Sequence, residues 1–151
     1  MNTKKIAIAS DHAGFELKRV LVQELQSLGY AVLDLGPATA DRCDYPIQAQ
    51  AVAKSILAQQ SEQGVLICGS GIGMSIAANR FVGIRAALAH NVYTAQMSKQ
   101  HNDAQILCLG ARIIDESLAK EMLKVFLSTE FEGQRHALRI AQIDQIDEKN
   151  D

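Results

Sequence analysis

Short apolar runs alternate along this chain with longer segments of helical period, and that alternation constrains the fold more than any other feature. Lys5 to Ser10 (Lys-Ile-Ala-Ile-Ala-Ser) reads as a strand. Phe15 to Leu28 follows, with Leu17, Val20, Leu21, Val22, Leu25 and Leu28 mostly at helical spacing, and Gly29 supplies a stop signal. Ala31 to Leu35 reads as a second strand, Gly36 to Pro46 as a polar loop, and Ile47 to Gln60 as an Ala-rich helix. Gly64 to Cys68 is a fully apolar third strand; Gly69 to Gly73 is a glycine-rich turn into a helix reaching about Asn79. A strand near Ile84 to Ala89, a helix from Val92 to Gln100 and a strand from Gln105 to Leu109 come next. Ser117 to Leu127 is helical, and a break at Glu132-Gly133 precedes a last helix from about Arg135 to Ile146.

Apolar strands separated by helices imply a parallel sheet covered on both faces, because parallel connections need crossovers and bury both sides. The expectation is α/β: a single-domain, three-layer α/β/α sandwich with a five-stranded parallel sheet, Rossmann-like, over residues 1–151. A chain of 151 residues suits one domain with a sizeable core. In such sheets the carboxyl ends of the strands feed the ligand crevice. Chemistry is therefore expected just after each strand, at Asp11-His12, Cys68 to Gly73, Ala89-His90 and Gly110 to Arg112.

Composition narrows the partners. The formal net charge is −2 with no basic stripe, so neither nucleic acid nor an anionic membrane is expected as a partner. The apolar run after Met-Asn-Thr-Lys-Lys stops at Ser10, too soon for a secretory signal or a membrane span, and the cytoplasm is the expected compartment. Three cysteines (Cys43, Cys68, Cys108) without paired spacing argue against a disulfide framework and against structural zinc.

The strongest local signal is Cys68-Gly-Ser-Gly-Ile-Gly-Met-Ser75. Alternate glycines let backbone approach a ligand, and the helix that follows presents free N–H groups to an anion. A thiol at that strand end can act as base or nucleophile; equally, Cys68 can be the last core residue of a buried strand. A Rossmann fingerprint is excluded because the third glycine comes one residue early, at Gly73. A Walker loop lacks its Gly-Lys-Ser/Thr, and a phosphatase Cys-x5-Arg loop would need arginine at Met74.

Asp11 can hold sugar hydroxyls, cap the first helix, or do both; His12 can reach a phosphate or shuttle a proton. His101-Asn102-Asp103 lies in a polar break, where a histidine at a helix C-terminus commonly just complements the dipole. His90 and His136 carry no stronger case. Arg135 and Arg139 share one helical face and can clamp a phosphate or simply be solvated, with Ile140 and Ile143 placing an apolar stripe beside them. Arg112 follows the last strand at the crevice end. Cys108 reads as core, and Cys43 has no assigned role.

Together these residues resemble the type B ribose-5-phosphate isomerases and their galactose-6-phosphate and allose-6-phosphate isomerase relatives. The resemblance runs from Ile6 to Ser10 with Asp11-His12-Ala-Gly14-Phe, through Asp44-Tyr45-Pro46, the Cys68 to Asn79 stretch and Gly83-Ile-Arg85-Ala. It continues through Ala95 to Asp103 and Gly110-Ala-Arg112 to Glu132-Gly-Gln-Arg135-His-Ala-Leu-Arg139. It implies an aldose-ketose isomerase without cofactor or metal, acting on a sugar phosphate in the pentose phosphate pathway. It implies Cys68 as the base moving a proton between C2 and C1; no acid in Ile72 to Ala78 offers the carboxylate that some relatives use instead. It further implies that the N–H groups of Gly69, Ser70, Gly71, Ile72 and Gly73 bind the enediolate oxygen, and that His101 opens the sugar ring. Asn102 and Asp11 would meet hydroxyls, His12, Arg112, Arg135 and Arg139 the phosphate, and Tyr45 a pocket wall. Family members are dimers or larger, so a homodimer or tetramer is expected. The His101-Asn102 segment and the Cys68 loop of each site would come from different subunits, and the helix at about 134–147 would dock on the partner. Two other classes stand beside this reading: a nucleotide-binding module of the stress-protein kind, and an idle paralogue serving as a partner subunit. The intact Cys68, His101 and arginine set argues against the latter.

Overall fold

In a computed structural model that describes residues 4–149, the parallel sheet has the strand order β2-β1-β3-β5-β4. The ends of the expected 1–151 domain, residues 1–3 and 150–151, lie outside the described residues. The strands are β1 (Lys5–Ser10), β2 (Ala31–Asp34), β3 (Gln63–Cys68), β4 (Ala86–Leu88) and β5 (Ile106–Gly110). All four pairings are parallel. The helices are α1 (Phe15–Ser27), α2 (Tyr45–Leu57), α3 (Ile72–Ala78), α4 (Val92–Gln100), α5 (Glu116–Ser128) and α6 (Arg135–Lys149). The architecture matches the α/β, three-layer expectation.

Alternation along each strand sends side chains to two separate cores. Ile6 and Ile8 of β1, Val65 and Ile67 of β3, and Leu107 and Leu109 of β5 pack with α1, α4 and α5. Ala7, Ala9, Leu66, Cys68, Ile106 and Cys108 point the other way, against α2 and α3. Both faces are dry, as the uninterrupted apolar strands require.

Several boundaries shift by one to three residues from expectation, and two of the shifts have a clear local reason. The second helix begins at Tyr45 rather than Ile47, because Pro46 is compatible with a first helical turn, where its missing N–H has no helical acceptor to lose. The fourth strand is shorter than Ile84 to Ala89. The N–H of Ile84 closes a turn onto Phe81, and that of Arg85 donates to the side-chain Oε1 of Gln105 at 2.6 Å.

Strand order decides where a site can form. From β1 the chain steps outward to β2, then crosses back to place β3 on the other side of β1. The order in which strands are added therefore reverses between β1 and β3, and the residues following those strands, Asp11 and Cys68, flank the crevice. β5 lies against β3, so Arg112 arrives beside the same opening.

The sixth helix stands apart from the two cores. Its His136 and Ile140 are buried, but Leu138 and Ile143 are exposed. An Arg85–Asp144 ion pair at 3.7 Å ties its far end to the domain. Among the described residues no helix is long and apolar enough to cross a membrane.

Candidate active site

Cys68 ends β3 with its side chain turned into the α2/α3 core, and it is 5% exposed. Its Sγ accepts the N–H of Gly71 at 3.1 Å. Gly71 takes φ = +81°, and a Cβ there would stand 2.6 Å from Leu88 Cδ1 and 2.9 Å from the carbonyl carbon of Leu109. Only glycine fits that corner. The Ser70 hydroxyl accepts the N–H of Ile72 at 3.2 Å, closing the loop on itself. Among the described residues the N–H groups of Gly69, Ser70 and Gly73 have no backbone acceptor, so the loop retains donors for an anion.

That loop forms one side of a cavity of about 560 Å³, lined also by Asp11, Tyr45, Ile72 and Arg112. Asp11 Oδ1 accepts the N–H of Gly14 at 3.1 Å, which closes the turn ahead of α1 rather than capping the helix itself. Its other oxygen meets no protein donor among the described residues. Structural and ligand roles for this carboxylate are therefore compatible. Arg112 lies over Gly69, with Nη1 3.0 Å from where a Cβ would be, and the Tyr45 ring packs on Gly73.

His12 faces an adjoining cavity of about 510 Å³ that shares Asp11 and Tyr45 with the first. Its Nδ1 sits 3.3 Å from both the N–H and the carbonyl oxygen of Cys43. A ring protonated on Nε2 alone accepts that N–H, and one that carries a proton on Nδ1 donates to that carbonyl; in both cases Nε2 makes no hydrogen bond among the described residues. The Cys43 peptide thus orients His12, a role its sequence position did not suggest. Burial, reinforced by the negative charge of Asp11, pushes the Cys43 thiol up.

The remaining expected residues lie elsewhere in the chain. Asn102 borders a separate cavity of about 330 Å³ with Arg85 and Ile143. Arg135 and Arg139 are exposed on α6, and His101 caps the C-terminus of α4. None of these four lines the Cys68 cavity within one chain.

Sequence reasoning missed two neighbours of His101. The His101 and His136 rings stack with centroids 4.1 Å apart and planes 11° apart. Glu132 Oε2 lies 3.5 Å from His101 Nε2 and 3.3 Å from His136 Nε2. The i,i+4 spacing of Glu132 and His136 was the one available signal. The sequence reading found no ligand cluster, yet ligand atoms of these three residues lie within 4.8 Å of one another. Because the rings are nearly parallel, an ion about 2.1 Å from both nitrogens would sit well out of both ring planes. The pair must splay before it could hold a metal.

Arg85 secures this corner. Its guanidinium donates to the carbonyl oxygens of Asn102 and Asp103 at 3.1–3.2 Å and pairs with the Asp103 carboxylate at 3.5 Å.

The Ribose/Galactose Isomerase family matches residues 6–143. This chain belongs to that family. Escherichia coli ribose-5-phosphate isomerase B is 42% identical over 146 residues, covering 97% of this chain and 98% of that protein. The structure of ribose-5-phosphate isomerase B from Clostridium thermocellum superposes with a TM-score of 0.96 at 44% identity, covering 97% and 99% of the two chains. A Mycoplasma genitalium ribose-5-phosphate isomerase B, solved with bound ribulose-5-phosphate, gives a TM-score of 0.93 at 37% identity, covering 98% and 99%. Like these members of the family, the chain carries one five-stranded parallel sheet, and it is an isomerase.

Proposed function

We propose that this protein interconverts ribose 5-phosphate and ribulose 5-phosphate by moving a proton between C2 and C1. The observation that carries this reading is the convergence of the Cys68 thiol, the free loop amides, Asp11 and Arg112 on one cavity.

His101 donates a proton to the ring oxygen, and opening exposes the C1 aldehyde, which acidifies the adjacent C2–H. The Cys68 thiolate takes that proton. The electrons form a C1–C2 double bond and leave negative charge on O1, where the free amides of Gly69, Ser70 and Gly73 meet it, those expected of Gly71 and Ile72 being taken by Cys68 Sγ and Ser70 Oγ; single donors of this kind are worth about 3–4 kcal/mol. After a proton passes from O2 to O1, the thiol returns its proton to C1 and the ketone forms at C2. General acid-base assistance of this kind contributes roughly 10²–10⁴-fold. Asp11 and Asn102 hold hydroxyls and Tyr45 walls the pocket. His12, Arg112, Arg135 and Arg139 bind the phosphate, whose distance from the reacting carbons keeps the sugar in register.

His101, Asn102, Arg135 and Arg139 do not line the Cys68 cavity of their own chain, and α6 exposes Leu138 and Ile143. Both features favour a homodimer, or a tetramer of such dimers, in which α6 docks on the neighbour and each site draws on two subunits. The compartment in this reading is the cytoplasm, and the reaction belongs to pentose phosphate metabolism.

The test is turnover of ribose 5-phosphate, allose 6-phosphate and galactose 6-phosphate by wild type and Cys68→Ala. Ribose 5-phosphate should be preferred, and the variant should lose C2-proton exchange while still binding substrate. Preference for a six-carbon substrate would move the assignment within the family; unchanged turnover would remove Cys68 as the base.

A further inference from the structure

Glu132 is held from two sides. Gln100 Nε2 donates to Glu132 Oε1 at 2.9 Å, and the Glu132 N–H donates to the Gln100 carbonyl at 3.0 Å. This clamp joins the segment between α5 and α6 to the residue just before His101. It leaves Glu132 Oε2 beside both stacked imidazoles, 3.5 Å from His101 Nε2 and 3.3 Å from His136 Nε2. His136 is 5% exposed, and its Nε2 is buried without a hydrogen-bond partner among the described residues. His101, by contrast, is partly open to solvent.

One carboxylate can compensate one positive charge in this stack, and two imidazolium rings 4.1 Å apart would repel. Burial, followed by the charge of His101, holds the His136 imidazole below its ordinary value, while Glu132 works in the opposite direction. Arg135 and Arg139 on the same helix also oppose a charge on His136. On the α4 side, the Asp103 carboxylate is engaged by Arg85, and Lys99 is buried over the Phe126 ring. Glu132 is thus the carboxylate that faces both rings.

We infer that Glu132 is a positioning residue for ring opening: clamped by Gln100, it fixes His101 against His136 and sets one negative charge beside both rings, leaving the exposed ring to donate the proton. In that step the bond from C1 to the ring oxygen breaks with its electrons on the oxygen, which takes the His101 proton. The anomeric hydroxyl loses its own proton to form the C1 carbonyl, and a proton returns to the pair through water. The inference rests on the reading of His101 as the ring-opening group.

The test compares wild type, Glu132→Gln, Glu132→Asp and His101→Asn as full-length protein. Thermal melts check folding, isomerase assays give kcat and KM against pH, and NMR of ring-labelled histidine follows the His136 titration. Glu132→Gln should lower kcat about tenfold with little change in KM. The limb on which activity falls as the pair loses its proton should move toward lower pH, and His136 should titrate lower still. Glu132→Asp keeps the charge and should recover part of each effect; it also serves if the glutamine variant misfolds. A wild-type pH profile and an unmoved His136 titration in Glu132→Gln would overturn the inference. Full turnover by His101→Asn would instead defeat the ring-opening role, and the catalytic part of the inference with it, while the His136 titration still reports the electrostatic coupling.

Discussion

The Cys68 sulfur and the Gly71 amide are 3.1 Å apart, so the thiol is tethered to the loop that begins at its own residue. At 5% exposure the side chain still lines the cavity. Tethering and burial together restrict the approach to the sulfur, which the proposed transfer between two neighbouring carbons needs.

Cys68→Ser tests whether the sulfur matters for more than shape. A hydroxyl can accept the same amide, so folding and substrate binding should persist. Because a serine hydroxyl without a base is a weak proton acceptor near neutral pH, turnover should fall roughly 10²–10⁴-fold. Incorporation of solvent deuterium at the exchanging carbon reads this directly.

Gly71→Ala should damage stability and activity together. The left-handed backbone and the clash with the Leu109 main chain should cost about 2–3 kcal/mol, measured by urea denaturation. An unshifted midpoint would mean the corner relaxes freely.

Burial pushes the Cys108 thiol up, with Cys68 adding to the effect. Above the ordinary thiol value of about 8.5 the unfolded chain loses this proton while the folded one keeps it. The folded state then binds more protons, so stability falls as pH rises, by up to about 1.4 kcal/mol per unit. Lys99, whose ammonium is disfavoured by burial, contributes with the opposite sign because the folded chain sheds that proton first. The difference in urea midpoint between wild type and Cys108→Ala across alkaline pH isolates the thiol; parallel curves would contradict its burial.

His136 acts at the acid end. Its folded value is lowered, chiefly by burial and then by His101, so as pH falls below about 6.5 the unfolded chain takes up the proton first. The stability contribution is present above that pH and is lost as pH falls toward the lowered folded value. His136→Asn should flatten the acid side of a melting-temperature profile, and a profile that retains the wild-type slope would exclude the histidine as its source.

The proposal that each site draws on two subunits makes a mixing prediction. Cys68→Ala and His101→Asn homodimers should each be nearly inactive, while subunit exchange should restore roughly one quarter of wild-type activity, since half the dimers are mixed and each holds one intact site. Assay before and after unfolding and refolding the mixture reads this, and no recovery argues for sites built within one chain.

Most of the architecture was legible because its signals are local. Strands as short apolar runs, helices with period 3.6 and the Cys68 loop with its alternating glycines are each signals carried by neighbouring residues. Two of the boundaries that slipped, at Tyr45 and Ile84, depend on a proline tolerated inside a first turn and on the side chain of Gln105 just ahead of β5. Those are interactions a one-dimensional pattern does not carry.

The amino-acid order alone specified an alternating α/β chain, the thiol and amide loop at the end of β3, and carboxylate, imidazole and guanidinium groups just past neighbouring strands. Three-dimensional packing settled which of them meet. The crossover that seats β3 beside β1 brings Asp11 to Cys68, and β5 pairing with β3 adds Arg112. The α5–α6 connection carries Glu132 and His136 onto His101 across a long stretch of sequence. Such encounters follow from strand order and helix docking, which depend on summed burial over the whole domain rather than on any short run of residues.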